Sequence, residues 1–267
     1  MHENDAFDRS ARLAESLEII ARENDIDHET MTGKILHMVT GLVSEPKSSF
    51  PTPPTYRRVI EGESVAGPGP KMQSSHGFFD VVKARASRRD FGDSPLSLDI
   101  MTSILAWTLG QREETIAYDW RGAPLRYCAS AGGLASVDGY CLALNVNGLA
   151  EGSYYYDYQR GLVQTFIGAV TEKIAAALPS MTWLEKAAAI VVLVGNPERV
   201  DRKYGVMASK LCLTDAGVAA GHLELVATAL ETRACILGSL PVALLSETLV
   251  LEPEQIPLVS IAIGSRT

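Results

Sequence analysis

A chain of 267 residues, 46% hydrophobic and 21% charged, can bury one sizeable core and is too apolar for wholesale disorder. Its 24 basic against 32 acidic side chains give a formal charge of −8, which excludes a general nucleic-acid surface and leaves room for a local phosphate site. Four separated cysteines (Cys128, Cys141, Cys212, Cys235) and five histidines without paired spacing provide neither a disulfide framework nor a metal site. The charged start, "MHENDAFDRSAR", has no apolar signal core, and no apolar run reaches the roughly 18 residues of a membrane span. A cytoplasmic protein without membrane contact is expected.

Residues 7–43 carry Leu13, Leu17, Ile20 and Ala21, then Ile35, Met38, Val39 and Leu42, at helical spacing. "SEPKSSFPTPPTYRR" holds four prolines and reads as an extended crossing segment, and "GESVAGPGPKMQSS" as a flexible loop. Residues 1–75 are therefore expected to form a helical and extended arm, and 76–267 the compact domain. "FFDVVKARASRRDF" sets Phe79, Val82, Lys83 and Ala86 on one helical face. "SPLSLDIMTSILAWTLG" predicts a helix capped by Ser94 or Ser97 and ended at Gly110.

"GYCLALNVN", "GSYYYDY" and "GLVQTFIG" predict successive strands with tight turns, and "AAAIVVLVGN" a buried central strand. "LCLTDAGVAAGHLELVATAL" predicts a helix apolar on nearly every face, buried in the core or in a subunit interface. "ACILGSL" and "LVSIAIGSR" add two buried strands. Without strict βαβ alternation the fold class is an α+β sandwich rather than a doubly wound sheet.

Three stretches carry candidate chemistry. In "ARASRRDF", Arg85, Ser87 and Arg89 alternate at a predicted helix end, an arrangement of guanidinium forks and a hydroxyl that suits a phosphate; a solvated basic helix end is the competing reading. "RYCASAGGL" brings Ser130, Ala131 and Gly132, whose exposed backbone can lie against a flat ring or a phosphate, or simply enter a strand. "LGSL" ends a strand with Gly238 and Ser239, and Arg266 stands near the C-terminus.

In order, these pieces resemble the nitroreductase superfamily, and within it the SagB-type azoline dehydrogenases that form thiazole and oxazole in peptides. "ARASRRDF" is similar to the family's R-x-S-x-R-x-F flavin-phosphate signature, "RYCASAGGL" to its R-x-x-P-S-A-G-A-L loop, and "GSYYYDY" to its G-x-Y-x-Y-D-P hairpin. "DRKYGVMASKLCLTDAG" resembles the K-Y-G segment, while "LHMVTG" and "PPTYRR" echo shorter elements, so the likeness runs over about residues 36–267. It implies an intertwined homodimer with a mainly antiparallel sheet and FMN at the subunit interface. Arg85, Ser87, Arg89 and Arg266 would hold the phosphate end, Ser130, Ala131 and Gly132 the ring, and Leu237, Gly238 and Ser239 the region of its reactive nitrogen.

The resemblance also assigns Lys203 and Tyr204 as a proton-removing pair in azoline oxidation. An ammonium beside Tyr204 would favour phenolate, whereas burial would lower the lysine pKa, so either group can be the base. Neighbours in a regular helix point about 100° apart, so joint action at one ring requires a loop or an irregular first turn. Trp107 and Trp120 would flank the cleft or pack in the core, and Cys128 is expected to be a small buried hydrophobe.

The chain departs from the family pattern at Ala129, at Ala135-Ser136-Val137-Asp138, at Ser209-Lys210, at Val218 and at Gly221-His222, which leaves the substrate open. An azoline-containing peptide is expected, with a cyclodehydratase as partner or a carrier-bound intermediate. The alternatives are an NAD(P)H-dependent nitro- or quinone reductase and a non-catalytic flavoprotein partner of a heterocyclase.

Overall fold

The computed structural model describes residues 46–238 and 240–267; the helical stretch expected over 7–43 and Ser239 lie outside these residues. In chain order come β1 (Ser64–Ala66), α1 (Phe78–Ala84), β2 (Leu96–Ser97), α2 (Leu98–Leu109), β3 (Gln111–Ala117) and β4 (Trp120–Arg126). They are followed by β5 (Val137–Ala143), β6 (Val146–Asn147), β7 (Gly152–Asp157), β8 (Gly161–Ile167), α3 (Val170–Ala177) and β9 (Ala189–Gly195). Last come α4 (Pro197–Tyr204), α5 (Ala208–Ala229), β10 (Arg233–Leu237), α6 (Val242–Thr248) and β11 (Ile256–Gly264).

Seven strands form one sheet in the order β1-β8-β7-β5-β9-β11-β10, antiparallel at every pairing. Alternation of side chains divides its apolar residues between two faces. Cys141, Val191, Leu193, Ile261 and Ile263 pack with α2 and α5, and Tyr140, Leu142, Ile190, Val192 and Ala262 with α3 and α6. Helices on both faces bury the central strands completely, which is why β9 reads as a continuous aliphatic run rather than an alternating one. This is the expected α+β sandwich with a mainly antiparallel sheet.

Local signals explain most element boundaries. Ser97 caps α2 by accepting from the Ile100 amide at 3.2 Å, and Gly110 ends it. All three tyrosines of β7 are buried: Tyr154 donates to Ala150 O (2.8 Å), Tyr156 donates to Pro68 O (2.6 Å), and Tyr155 accepts the Arg58 amide (3.2 Å). Each hydroxyl meets a partner, as a buried phenol must.

Two expectations need correction. The stretch expected as a loop over 62–75 supplies β1 at the sheet edge, and its Lys71 and Met72 amides donate to Ser103 Oγ at 2.9 Å. Helix α1 stops at Ala84 because Arg85 turns extended (φ −58°, ψ 125°) and Ser87 bridges to Ala234; Val81 is its buried side chain, while Phe79 is 75% exposed. Helix α5, expected to be buried in the core or in a subunit interface, buries one side within this chain and leaves Leu213 48% and Val218 43% exposed on the other.

Segment 46–75 lies against the sheet layers, with Phe50 and Ile60 buried. Among the described residues no helix is long and apolar enough to cross a membrane. Leu142→Ala, which empties a fully buried position, is expected to lower stability by about 2–5 kcal/mol, and Ile190→Val by about 0.5–1.5 kcal/mol, both measured by urea unfolding.

Candidate functional site

Helix α4 begins at Pro197, whose missing N–H suits a first turn, and carries Arg199 and Lys203 one turn apart on one face. Arg199 forms a buried fork with Asp138 of β5 (Nη1 to Oδ1 2.8 Å, Nη2 to Oδ2 2.6 Å) and donates to Ala135 O at 2.8 Å. Burial draws the Arg199 pKa down, but Asp138 more than offsets this and the group stays charged. Asn196 also donates to Asp138 (3.2 Å), and Gln255 to Asn196 (2.6 Å). A stretch that reads as polar surface in sequence is thus pinned to the sheet by buried charge.

The loop that follows β4 is held from behind by α5. Both oxygens of Asp215 accept the Ala131 amide (3.0 and 2.9 Å), and Ser136 Oγ donates to Oδ2 at 2.5 Å. Burial raises the Asp215 pKa, opposed by these same bonds from Ser136 and Ala131. Ser130 Oγ accepts the Ala135 amide at 3.1 Å, which closes the loop on itself. Gly132 has φ 60°, and a Cβ there would lie 2.5 Å from Tyr118 Oη, 3.0 Å from Tyr204 Oη and 3.2 Å from Lys203 Cδ. Only glycine fits such a position.

Lys203 and Tyr204 are therefore brought to the Ser130–Gly132 loop. They occupy the last turn of α4, not a loop or the first turn of the following helix; Tyr204 leaves helical geometry (φ −115°, ψ −4°) ahead of Gly205 (φ 52°), so both side chains reach Gly132. Lys203 Nζ donates to Tyr118 Oη at 2.9 Å and lies 4.6 and 5.2 Å from the ring centres of Tyr118 and Tyr204. Burial pulls the Lys203 pKa down, yet the hydrogen bond to Tyr118 and the two phenols outweigh it and raise it above the ordinary value. Of the two alternatives for the pair, lysine as the ammonium is the one this geometry favours.

The cationic residues lie along the outer edge of the sheet, Arg85 and Arg89 on opposite layers. Ser87 bridges to Ala234 and the Arg88 amide donates to Ala234 O at 2.8 Å, while the Gly92 amide donates to Ser265 O at 2.9 Å, so the stretch 85–92 runs beside β10 and the residue before Arg266. Arg85 pairs with Glu224 of α5 at 3.2 Å, and Arg89 turns to the other layer, its guanidinium 5.6 Å from the Trp183 ring centre. Arg85, Ser87, Arg89 and Arg266 are all exposed. Glu224 is buried, and its Oε1 has no hydrogen-bond partner among the described residues. Leu237, half-buried and opposite Ser260, and exposed Gly238 stand at the far end of β10.

Tyr118, Asp138, Arg199, Asp215 and Glu224 are missing from the sequence-derived site. Asp215 and Glu224 were each legible as a lone acid in an apolar helix, and Tyr118-Asp119 as a turn pair; Arg199 carries no such signal. Trp107 and Trp120 donate to Met72 O (2.8 Å) and Phe50 O (3.1 Å), a packing role. Cys128 is buried, and burial first, then Asp215, pushes its thiol up to about 11, as befits an inert hydrophobe. No metal-binding cluster occurs among the described residues.

The nitroreductase family profile matches residues 82–265. A nitroreductase-family protein of Methanocaldococcus jannaschii is 27% identical over 161 residues, 60% of this chain and 77% of the relative. A structure from Ralstonia eutropha has a TM-score of 0.56 at 18% identity, covering 81% of this chain and 99% of that one. Another, from Anabaena variabilis, has a TM-score of 0.58 at 18% identity, covering 71% of this chain, which spans only 38% of that protein. A third, from Desulfovibrio desulfuricans, is in complex with FMN (16% identity, 72% and 87% coverage, TM-score 0.49).

Asp138→Asn leaves the Arg199 guanidinium buried without its counter-ion, and is expected to destabilise the fold by about 3–5 kcal/mol in urea unfolding.

Proposed function

The chain belongs to the nitroreductase family of flavin-dependent oxidoreductases, and on that premise we propose that it is an FMN-dependent dehydrogenase that oxidises thiazoline or oxazoline rings of a peptide to thiazole or oxazole. The observation that carries this reading is the meeting of Lys203 and Tyr204 with the Gly132 loop. A proton-exchanging pair stands beside an exposed glycine of that loop.

The residues present fit the cofactor. Gly132 is exposed, and the side its Cβ would take is filled by Tyr118, Tyr204 and Lys203, so a planar ring would meet the open edge of this loop beside those side chains. Exposed Arg85, Ser87, Arg89 and Arg266 supply cationic and hydroxyl donors for a phosphate at one sheet edge. Leu237, Gly238 and Ser239 would border the ring. Bound FMN supplies a two-electron acceptor for the hydride that leaves the azoline carbon. The other hydrogen, α to the carbonyl, leaves as a proton to the Lys203–Tyr204 pair, and the ring becomes aromatic with the loss of two hydrogens.

A homodimer, with FMN between the subunits, is part of this reading. Its support is the outward face of α5, where Leu213 and Val218 are exposed beside Gly217 and Gly221, at which a Cβ would meet no atom within 4 Å. The substrate peptide would come from a cyclodehydratase, free or on a carrier, in the cytoplasm. Nitro- or quinone reduction with NAD(P)H is the second reading, favoured by the family match itself.

Purified protein is expected to be yellow. Lys203→Ala and Tyr204→Phe should keep the colour and lose at least about 100-fold in azole formation, read as a two-hydrogen mass loss on azoline peptides. Rapid bleaching by NAD(P)H with indifference to both substitutions would instead establish the second reading. Val218→Asp should yield monomers in light scattering and release the flavin.

A further inference from the structure

We infer that Tyr118 is a positioning residue that holds Lys203 as the ammonium and thereby leaves Tyr204 to take the substrate proton. The inference rests on the proposed proton exchange for its catalytic consequence, though not for its geometry.

Tyr118 and Asp119 form the two-residue turn between β3 and β4, with φ 56° and 68°. A bulky residue in that backbone region is uncommon and persists where its surroundings over-determine it. Here they do. Phe50 stacks on the Tyr118 ring at 4.5 Å and 26°, and the Tyr118 hydroxyl donates to the carbonyl of Gly132. A phenol has one proton to give, so a hydroxyl committed to Gly132 O meets Lys203 as an acceptor. An acceptor for the amine favours its charged form.

The other groups around Lys203 do not reverse this. Tyr204 acts in the same sense as Tyr118. Arg202 points away, over the Phe50 ring at 4.7 Å and to the carbonyls of Thr52 and Pro53. Asp215, from α5, is turned to Ala131 and Ser136. From the segment before β1, Tyr56 has its pKa pushed up to about 12, first by burial and then by Tyr118. With Lys203 kept as the cation, the Tyr204 oxygen is the member of the pair left to receive the α proton, with the ammonium beside it to balance negative charge there.

The test is Tyr118→Phe, which keeps the ring stack and removes only the hydroxyl. In protein labelled with 13Cε-lysine, with the Lys203 signal assigned through Lys203→Arg, the Lys203 titration midpoint is expected to fall by about one pH unit, a tenfold change in proton affinity. The alkaline limb of the azoline-oxidation profile should move down with it, with kcat reduced and KM retained. An unmoved midpoint, or a purely structural loss that scales kcat equally at every pH, overturns the inference. The unsubstituted protein gives a second measurement should the variant fail to fold. A Lys203 midpoint at or below the ordinary lysine value of about 10.4 also overturns it. If the midpoint depends on Tyr118 but wild-type protein oxidises no azoline, the tether stands and the assigned reaction falls.

Discussion

The buried fork between Arg199 and Asp138 is the constraint from which the site's geometry follows. It closes α4 onto the end of β5 and also takes up the carbonyl of Ala135. Lys203 lies one helical turn beyond Arg199, so fixing the arginine fixes the lysine's azimuth over Gly132. An apolar pair at these positions would hold the helix as firmly, but without directional hydrogen bonds it would leave the rotation about the helix axis less defined.

Helix α5 joins the two halves of the candidate site through two buried acids. Asp215 organises the Ala131 backbone near the helix's start, and Glu224 meets Arg85 nine residues further on (224 − 215), about 13 Å along the axis. The Ser130–Gly132 loop and the cationic edge are thereby set at a separation fixed by one rigid element. The same helix turns its glycine-bearing face outward, so the element that spaces the halves also leaves an apolar face exposed.

Much of this was legible in the sequence where hydrophobic pattern decides the outcome. Strands β9 and β11 and helix α5 follow directly from their aliphatic runs, and α2 from its cap and its glycine stop. The β3–β4 ribbon escaped notice because, with only Ala123 and Pro124 buried, "QREETIAYDWRGAPLR" needs no apolar alternation. Helix α4 escaped because its burial comes from an arginine, Arg199, and from Val200, against a polar remainder. The Lys203–Tyr204 pair and the glycine loop were accessible through family likeness. Tyr118 was not, since its bond to Lys203 spans 85 positions and depends on a turn that sequence patterning does not reveal.

One feature of the sheet bears on how the molecule comes into being. β11 follows β10 in the chain yet is inserted between β10 and β9. During translation β10 emerges with only the bridge at Ser87 beside it, and the open flank of β9 stays bare until residues 256–264 have left the ribosome. The nascent chain therefore carries an adhesive, half-built sheet for the length of one helix and one loop. Arg266 follows that strand in the chain, so under the proposed function the full set of arginines offered to a phosphate is made only once the sheet's last strand has been synthesised.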